Sequence, residues 1–217
     1  MFIGHYAPAF VAATSKRSPG LGTLFVAAQL VDIGFFSFVL AGAEHMRIVP
    51  GITRMNPMDL YDMPWTHSLA GSAGWAVLFA LIVWAWKRDL TAAALAGAVV
   101  LSHWLLDLLV HRPDLTLAGS PPKFGLGLWN FPAIEMPLEL LLAFGALGYY
   151  AVRTRARGAT GTLSLAILAI ILATVQAIDW FGPEPERLTP AIPITALVAY
   201  AVLAVLAGWN ERKRDLR

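Results

Sequence analysis

The sequence predicts an all-α fold: a polytopic membrane bundle of six long transmembrane helices with a short N-terminal membrane helix. Two observations lead to this prediction. Charged residues make up only 14% of the chain, against roughly 25% in ordinary soluble domains, and the mean hydropathy is +0.63. Apolar runs of about 20 residues, long enough to cross a bilayer, recur throughout. We therefore treat residues 1–217 as a single transmembrane helical domain.

The first segment, MFIGHYAPAFVAAT, is short and apolar. It could pass for a signal peptide, but no basic residue precedes its apolar part, and Lys16 and Arg17 follow it. We expect it to be retained as a short membrane helix. The six longer helices are predicted over residues 21–43, 67–86, 90–111, 130–152, 162–182 and 189–209. The chain contains no cysteine, which excludes thiolate metal ligands and a cysteine nucleophile.

The basic residues predict the orientation of these helices. Eleven of the sixteen Lys and Arg residues fall on one side of the predicted spans and five on the other. Because cytoplasmic loops carry the excess of basic residues, the RTRAR loop and the ERKRDLR tail are expected in the cytoplasm. Topology thus accounts for the net charge of +2, so the expected partners are bilayer lipid and a substrate rather than a nucleic acid.

A polar stripe runs along the third long helix in the stretch SHWLLDLLVH. His103, Asp107 and His111 are each four residues apart, which places them on one helix face. Ionisable side chains in a spanning helix cost a few kcal/mol each, so they usually face a cavity or one another. The stripe therefore predicts polar partners on other helices.

Further polar groups reach the depth of this stripe. Counting about 1.5 Å per residue from the cytoplasmic end places His5 near 16 Å, Asp32 near 18 Å and His103 near 20 Å. Asp107 reaches about 26 Å, and His67 opens the helix that descends from outside. These groups are expected to converge in the outer half of the bilayer.

Imidazoles and carboxylates that converge in one place are the ligands preferred by Zn²⁺, Mn²⁺ or Fe²⁺. The predicted ligands of a divalent metal ion are His5, Asp32, His67, His103 and Asp107. A structural hydrogen bond or a proton relay is the alternative for an intramembrane His and Asp pair. His111, at a helix end, is a candidate ligand or substrate contact, or a cap of the last carbonyls.

Two glutamates in NFPAIEMPLEL are the candidate catalytic residues. Glu135 and Glu139 lie four residues apart on one helix face, and either could act as general base toward a water that the ion activates. The alternative is an interfacial ion pair with Arg112 or Lys123.

Three short motifs together resemble a known family. A GH pair in FIGHYAPAF, a THS triplet in MPWTHSLAGS and an HxxxD pair in SHWLLDLL are similar to the predicted membrane-bound metal-dependent hydrolases of the DUF457, or YdjM-like, type. The likeness covers roughly the first 115 residues. It implies a bacterial inner-membrane protein whose metal ligands are His5, His67, His103 and Asp107, with Asp32 a looser match.

These observations lead to two functional hypotheses. The first is a hydrolase that uses a His- and Asp-bound divalent ion to activate water against an ester or phosphoester, of a small molecule or a lipid. The second is a proton- or cation-coupled transporter, which the intramembrane carboxylates Asp32, Asp107 and Glu139 would serve.

Overall fold

The computed structural model describes residues 1–217 and is mainly helical. A 3₁₀ turn, Ile3–His5, leads into the first helix. The eight helices are α1 Tyr6–Ala12, α2 Leu21–Ala28, α3 Leu30–Ala41, α4 Leu69–Lys87, α5 Leu90–Val110, α6 Pro132–Arg153, α7 Gly158–Phe181 and α8 Ala191–Glu211.

Three small two-stranded antiparallel sheets mark the two ends of the bundle. At one end, β1 (His45–Ile48) pairs with β2 (Met58–Asp62), and β3 (Leu115–Thr116) pairs with β4 (Lys123–Phe124). We call this the loop end. At the other end, β5 (Thr154–Ala156) pairs with β6 (Arg214–Leu216), and we call this the tail end.

Five helices, α4 to α8, are each long and apolar enough to cross a membrane, and α2 with α3 makes a sixth span if the bent pair counts as one. Large apolar side chains such as Val77, Ile178 and Val205 are exposed on the outside of these helices. The apolar helices indicate a multi-pass membrane protein in contact with lipid. The predicted all-α membrane bundle is therefore confirmed.

The span predicted over residues 21–43 is two helices. Helices α2 and α3 meet at Gln29 with a bend of 52°. No proline causes this break. The Gln29 side-chain amide donates to the Phe2 carbonyl at 3.2 Å, so the break is tied to the N-terminal segment.

The fourth helix begins two residues later than predicted. Ser68 is its N-cap, and the Ser68 hydroxyl accepts from the Gly71 amide at 3.0 Å. Serine is a favoured N-cap because its oxygen satisfies a free amide of the first turn. His67 therefore lies in the turn before α4, not in its first turn.

The apolar core surrounds α1, which packs against α2, α5 and α6. Tyr6 stacks on Phe25 with ring centroids 4.2 Å apart, and Phe10 meets Phe25 edge-on. Near the tail end α2 approaches α8 closely: a Cβ on Gly22 would lie 2.9 Å from the Gly208 Cα atom. Close packing of small residues is a common way to join helices in membranes, where lipid gives no hydrophobic driving force.

Candidate metal centre

Four histidine side chains surround the carboxylate of Asp107, in the half of the bundle nearer the loop end. The Nε2 atoms of His5 and His111 lie 3.0 Å and 3.5 Å from Asp107 Oδ1. Those of His103 and His67 lie 3.1 Å and 3.6 Å from the other oxygen, Oδ2. All five side chains are buried.

A second carboxylate, from α3, joins this cluster. Asp32 Oδ1 lies 3.3 Å from His67 Nε2 and 3.6 Å from His103 Nε2. The other oxygen, Asp32 Oδ2, accepts a hydrogen bond from the Tyr200 hydroxyl at 3.0 Å. Helix α8 carries no charged group of the cluster, but its Tyr200 orients the Asp32 carboxylate.

The break between α2 and α3 determines which ring nitrogen of His103 carries a proton. Ala28 is the last residue of α2, where backbone carbonyls lack helical partners, and its carbonyl oxygen lies 2.8 Å from His103 Nδ1. Because a carbonyl can only accept, Nδ1 of His103 carries a proton. In the neutral ring, the Nε2 lone pair therefore faces the two carboxylates.

A buried chain of hydrogen bonds fixes the tautomer of His67 in the same way. The Thr66 hydroxyl donates to Glu44 Oε2 at 2.6 Å, and it lies 2.9 Å from His67 Nδ1. Since the hydroxyl proton is used on Glu44, the Thr66 oxygen accepts from Nδ1. The Nε2 lone pair of His67 is again left to face Asp32 and Asp107.

His111 is oriented by a third acceptor. Its Nδ1 lies 2.9 Å from Asp114 Oδ1, so Nδ1 donates and Nε2 turns to Asp107. Metal-bound histidines usually donate their second ring nitrogen to a carboxylate or a carbonyl in this manner. His5 differs, because its buried Nδ1 has no hydrogen-bond partner.

The arrangement places lone pairs of neutral imidazoles against carboxylates, a repulsion that a bound metal ion relieves, as does a proton on Nε2. Buried His103 Nε2 and Asp107 Oδ2 lie 3.1 Å apart, yet each lacks a hydrogen-bond partner. Two ligand atoms bound to one tetrahedral ion at about 2.1 Å are about 3.4 Å apart. The nitrogen–oxygen distances of 3.0 to 3.6 Å bracket this value. The buried His and Asp groups could therefore hold a metal ion.

The N-terminal segment is fixed by side chains of α6 and α7. Glu139 Oε1 accepts from the amides of Phe2 and Gly4, at 2.5 Å and 3.0 Å. Gln176 Oε1 accepts from the Ile3 amide at 3.2 Å. These bonds hold His5 against Asp107, whose Oδ1 also lies 3.7 Å from the Met1 nitrogen.

The two candidate glutamates are buried on α6, but they differ. Glu139 is engaged by backbone amides, whereas both carboxylate oxygens of Glu135 lack a hydrogen-bond partner. The alternative pairing with Arg112 or Lys123 is wrong. Arg112 instead contacts Asp59 and Asp114.

Lys123 also points away from the glutamates, because its amino group donates to the Tyr61 carbonyl at 3.1 Å. Both basic residues thus belong to the loop-end surface.

The five predicted ligands and His111 come together as expected. Sequence reasoning missed the groups that orient them, which are Ala28, Glu44, Thr66, Asp114 and Tyr200. Three of these lie beside a candidate histidine in the chain or in a loop, and polarity alone does not distinguish them from solvated residues.

An apolar groove of about 560 Å³ lies between α1, α5 and α6. Helices α5 and α6 make few direct contacts with each other, because the short α1 packs between them. Ten of the eleven lining residues are hydrophobic. Leu106 lies three residues after His103, and Leu142 three after Glu139, so the groove continues the helix faces that carry the polar groups.

Comparisons of the chain with protein-family models, with curated proteins and with solved structures find no match. The function must therefore be argued from the chemistry of the site.

Proposed function

We propose that this chain is an integral membrane hydrolase that uses a His- and Asp-bound divalent ion to activate water against an ester or phosphoester. One observation carries the proposal: His67, His103 and His111 aim Nε2 lone pairs at buried carboxylates, with Nδ1 of each ring held by an acceptor. The resemblance to the DUF457 type implies the same reaction class, and membership in that family is part of the proposal.

The residues have separate roles in this mechanism. A divalent ion held by the His and Asp residues would act as a Lewis acid and would lower the pKa of a bound water to about 7. Glu135 is the general base, because its buried oxygens are free to take a proton. Glu139 orients the N-terminal segment and so positions His5. Zn²⁺, Mn²⁺ and Fe²⁺ all suit this mixture of imidazole and carboxylate ligands.

The apolar groove favours the proposal that the substrate enters from the bilayer. Two of its walls belong to the spanning helices α5 and α6 and the third to the short helix α1, and the lining is nearly free of polar atoms. An acyl chain in this groove would place a polar headgroup toward the cluster. We therefore propose a lipid ester or phosphoester as the substrate.

The proposed setting is a bacterial inner membrane with the tail end in the cytoplasm. The basic residues support this orientation, since seven of them lie in the RTRAR loop and the C-terminal tail. The metal centre would then lie toward the external face.

A proton- or cation-coupled transporter is the second candidate. One observation favours it: ion pairs run from the loop-end surface to the cluster, through Asp59, Arg112, Asp114 and His111. Such a chain of ionisable groups is typical of proton paths in membrane proteins.

Metal content measured by mass spectrometry on detergent-purified protein tests the proposal. We expect bound metal in the wild type and less bound metal in His103→Ala, with an unchanged elution volume on size exclusion. His45→Ala is the matched control, because His45 is an exposed histidine at the start of β1 that pairs with Asp62 outside the cluster. This variant should keep its metal.

Hydrolysis is then measured with lipid esters and phosphoesters in vesicles. Turnover in the wild type that is lost in His103→Ala supports the hydrolase. No bound metal after incubation with Zn²⁺ or Mn²⁺ would rule it out. Solute flux driven by a pH gradient, without bond cleavage, would favour the transporter.

A further inference from the structure

We infer that the cluster holds two divalent ions that share the Asp107 carboxylate, one on each oxygen. The inference rests on the proposed metal centre and adds to it the number of ions and the role of each. We call the two positions the Oδ1 subsite, with His5 and His111, and the Oδ2 subsite, with His67, His103 and Asp32.

The stacking of His5 on His103 argues against a single ion. The two rings are parallel to within 6°, with centroids 3.8 Å apart. The lone pair of an imidazole nitrogen lies in the ring plane, and the metal–nitrogen distance is about 2.1 Å. An ion midway between the rings would sit about 1.9 Å out of both planes, which is nearly the whole bond length. The two histidines therefore serve different ions.

The oxygens of Asp107 divide the remaining histidines in the same way. His5 and His111 approach Oδ1, at 3.0 Å and 3.5 Å. His103 and His67 approach Oδ2, at 3.1 Å and 3.6 Å. The carboxylate thus bridges the two subsites, as carboxylates do in two-metal sites, where ions are about 3.5–4 Å apart.

The second carboxylate belongs to one subsite only. Asp32 Oδ1 lies within 3.6 Å of the Nε2 atoms of His67 and His103. Its other oxygen is occupied by the Tyr200 hydroxyl. The Oδ2 subsite therefore has four protein ligands, and the Oδ1 subsite has three.

This difference predicts different roles for the two ions. Sites with four protein ligands are closed and structural, whereas sites with three leave a position for water or substrate. The Oδ2 ion should bind tightly and exchange slowly. The Oδ1 ion should exchange readily and face the substrate, and its ligand His5 has no partner on Nδ1 to fix the ring.

Metal stoichiometry on the full-length protein in detergent tests the inference. We expect two ions per chain in the wild type and in the His45→Ala control, one in His111→Ala, and none in Asp107→Ala. Chelator titration of the wild type should release the ions in two separate steps. One ion per chain at saturating metal, released in a single step, would overturn the inference.

A spectroscopic measurement on the wild type does not depend on the folding of any variant. In Mn²⁺-loaded protein, two ions bridged by one carboxylate give an exchange-coupled electron paramagnetic resonance signal. The hyperfine pattern of an isolated Mn²⁺ at full loading would contradict the two-ion centre. Hydrolysis that persists with one ion would leave the proposed function intact, whereas absence of metal would overturn both.

Discussion

The two halves of the bundle differ in what their buried side chains do, although α5 runs through both. In the tail half, Ala96 and Val100 of α5 lie in an apolar core. In the loop half, His103 and Asp107 on the same helix are equally buried, but each has an atom without a hydrogen-bond partner. The tail half gains stability from packing, while the loop half, beside an apolar cluster of its own, also holds the buried imidazoles and carboxylates of the candidate metal centre. Mutations should therefore separate stability from metal binding.

The largest effect outside the ligands themselves is expected from Glu44→Gln. Glu44 accepts hydrogen bonds from the Thr66 hydroxyl and from the Trp65 and Thr66 amides. The amide NH₂ group of a glutamine would face the Thr66 hydroxyl, which now donates its proton to Glu44. The Thr66 oxygen would then no longer be fixed as the acceptor for His67 Nδ1. We expect metal affinity to fall about 10- to 100-fold, measured by competition with a chelating dye. Glu184→Gln, in an exposed loop, is the control, and equal affinities in the two variants would remove Glu44 from the centre.

A smaller effect, on stability rather than on metal affinity, is expected from Asn210→Ala in the tail half. The buried Asn210 amide donates to the Ser164 hydroxyl at 2.9 Å, which joins α8 to α7. Interhelical hydrogen bonds in membrane proteins contribute about 0.6 kcal/mol on average and at most about 1.7. We expect a slightly lower melting temperature in detergent with unchanged metal affinity. Thr174→Ala, on an exposed helix face, is the control. Weaker metal binding in Asn210→Ala would show that stability and metal binding do not separate between the two halves.

The smallest effect is expected from Asp215→Asn at the tail end. Arg157 donates to Asp215 and lowers the pKa of its carboxyl group, but both side chains are more than half exposed. A lowered pKa stabilises the fold above the unfolded-state pKa, and this contribution is lost as the pH falls through the folded-state pKa. Melting temperatures of wild type and variant should therefore differ little at neutral pH and converge in acid. Any change in metal content would show that the halves are coupled.

The sequence predicted most of the spans and the convergence of the polar groups. The span predicted over residues 90–111 is Leu90–Val110, and that over 162–182 is Gly158–Phe181. Depth could be counted because the rise per residue of a helix is fixed. This counting brought His5 within about 4 Å of the height of His103, on which its ring stacks, across about a hundred residues of chain. It left Asp107, which His5 also contacts, about 10 Å higher.

The orientation of the side chains could not be predicted in the same way. Hydropathy reports that a helix spans the membrane, but not which face meets which neighbour, so the stacking of His5 on His103 and the division of the Asp107 oxygens were out of reach. No proline or glycine lies beside Gln29 to indicate the bend. Glu44 follows a helix in a polar loop, and its burial depends on a tertiary contact with Thr66.

The anchoring of the N-terminal segment also has a consequence for the order of events during synthesis. The Ile3 amide finds its acceptor on Gln176, 173 residues further along the chain. At about 5–20 residues per second, a ribosome needs roughly 10 to 35 seconds to make that stretch. His5 is among the first residues translated, yet it can settle beside Asp107 only after α6 and α7 have entered the bilayer. Metal loading of the proposed centre would therefore be a late event, and a chain truncated before α7 should insert its earlier spans but leave the His and Asp cluster unassembled.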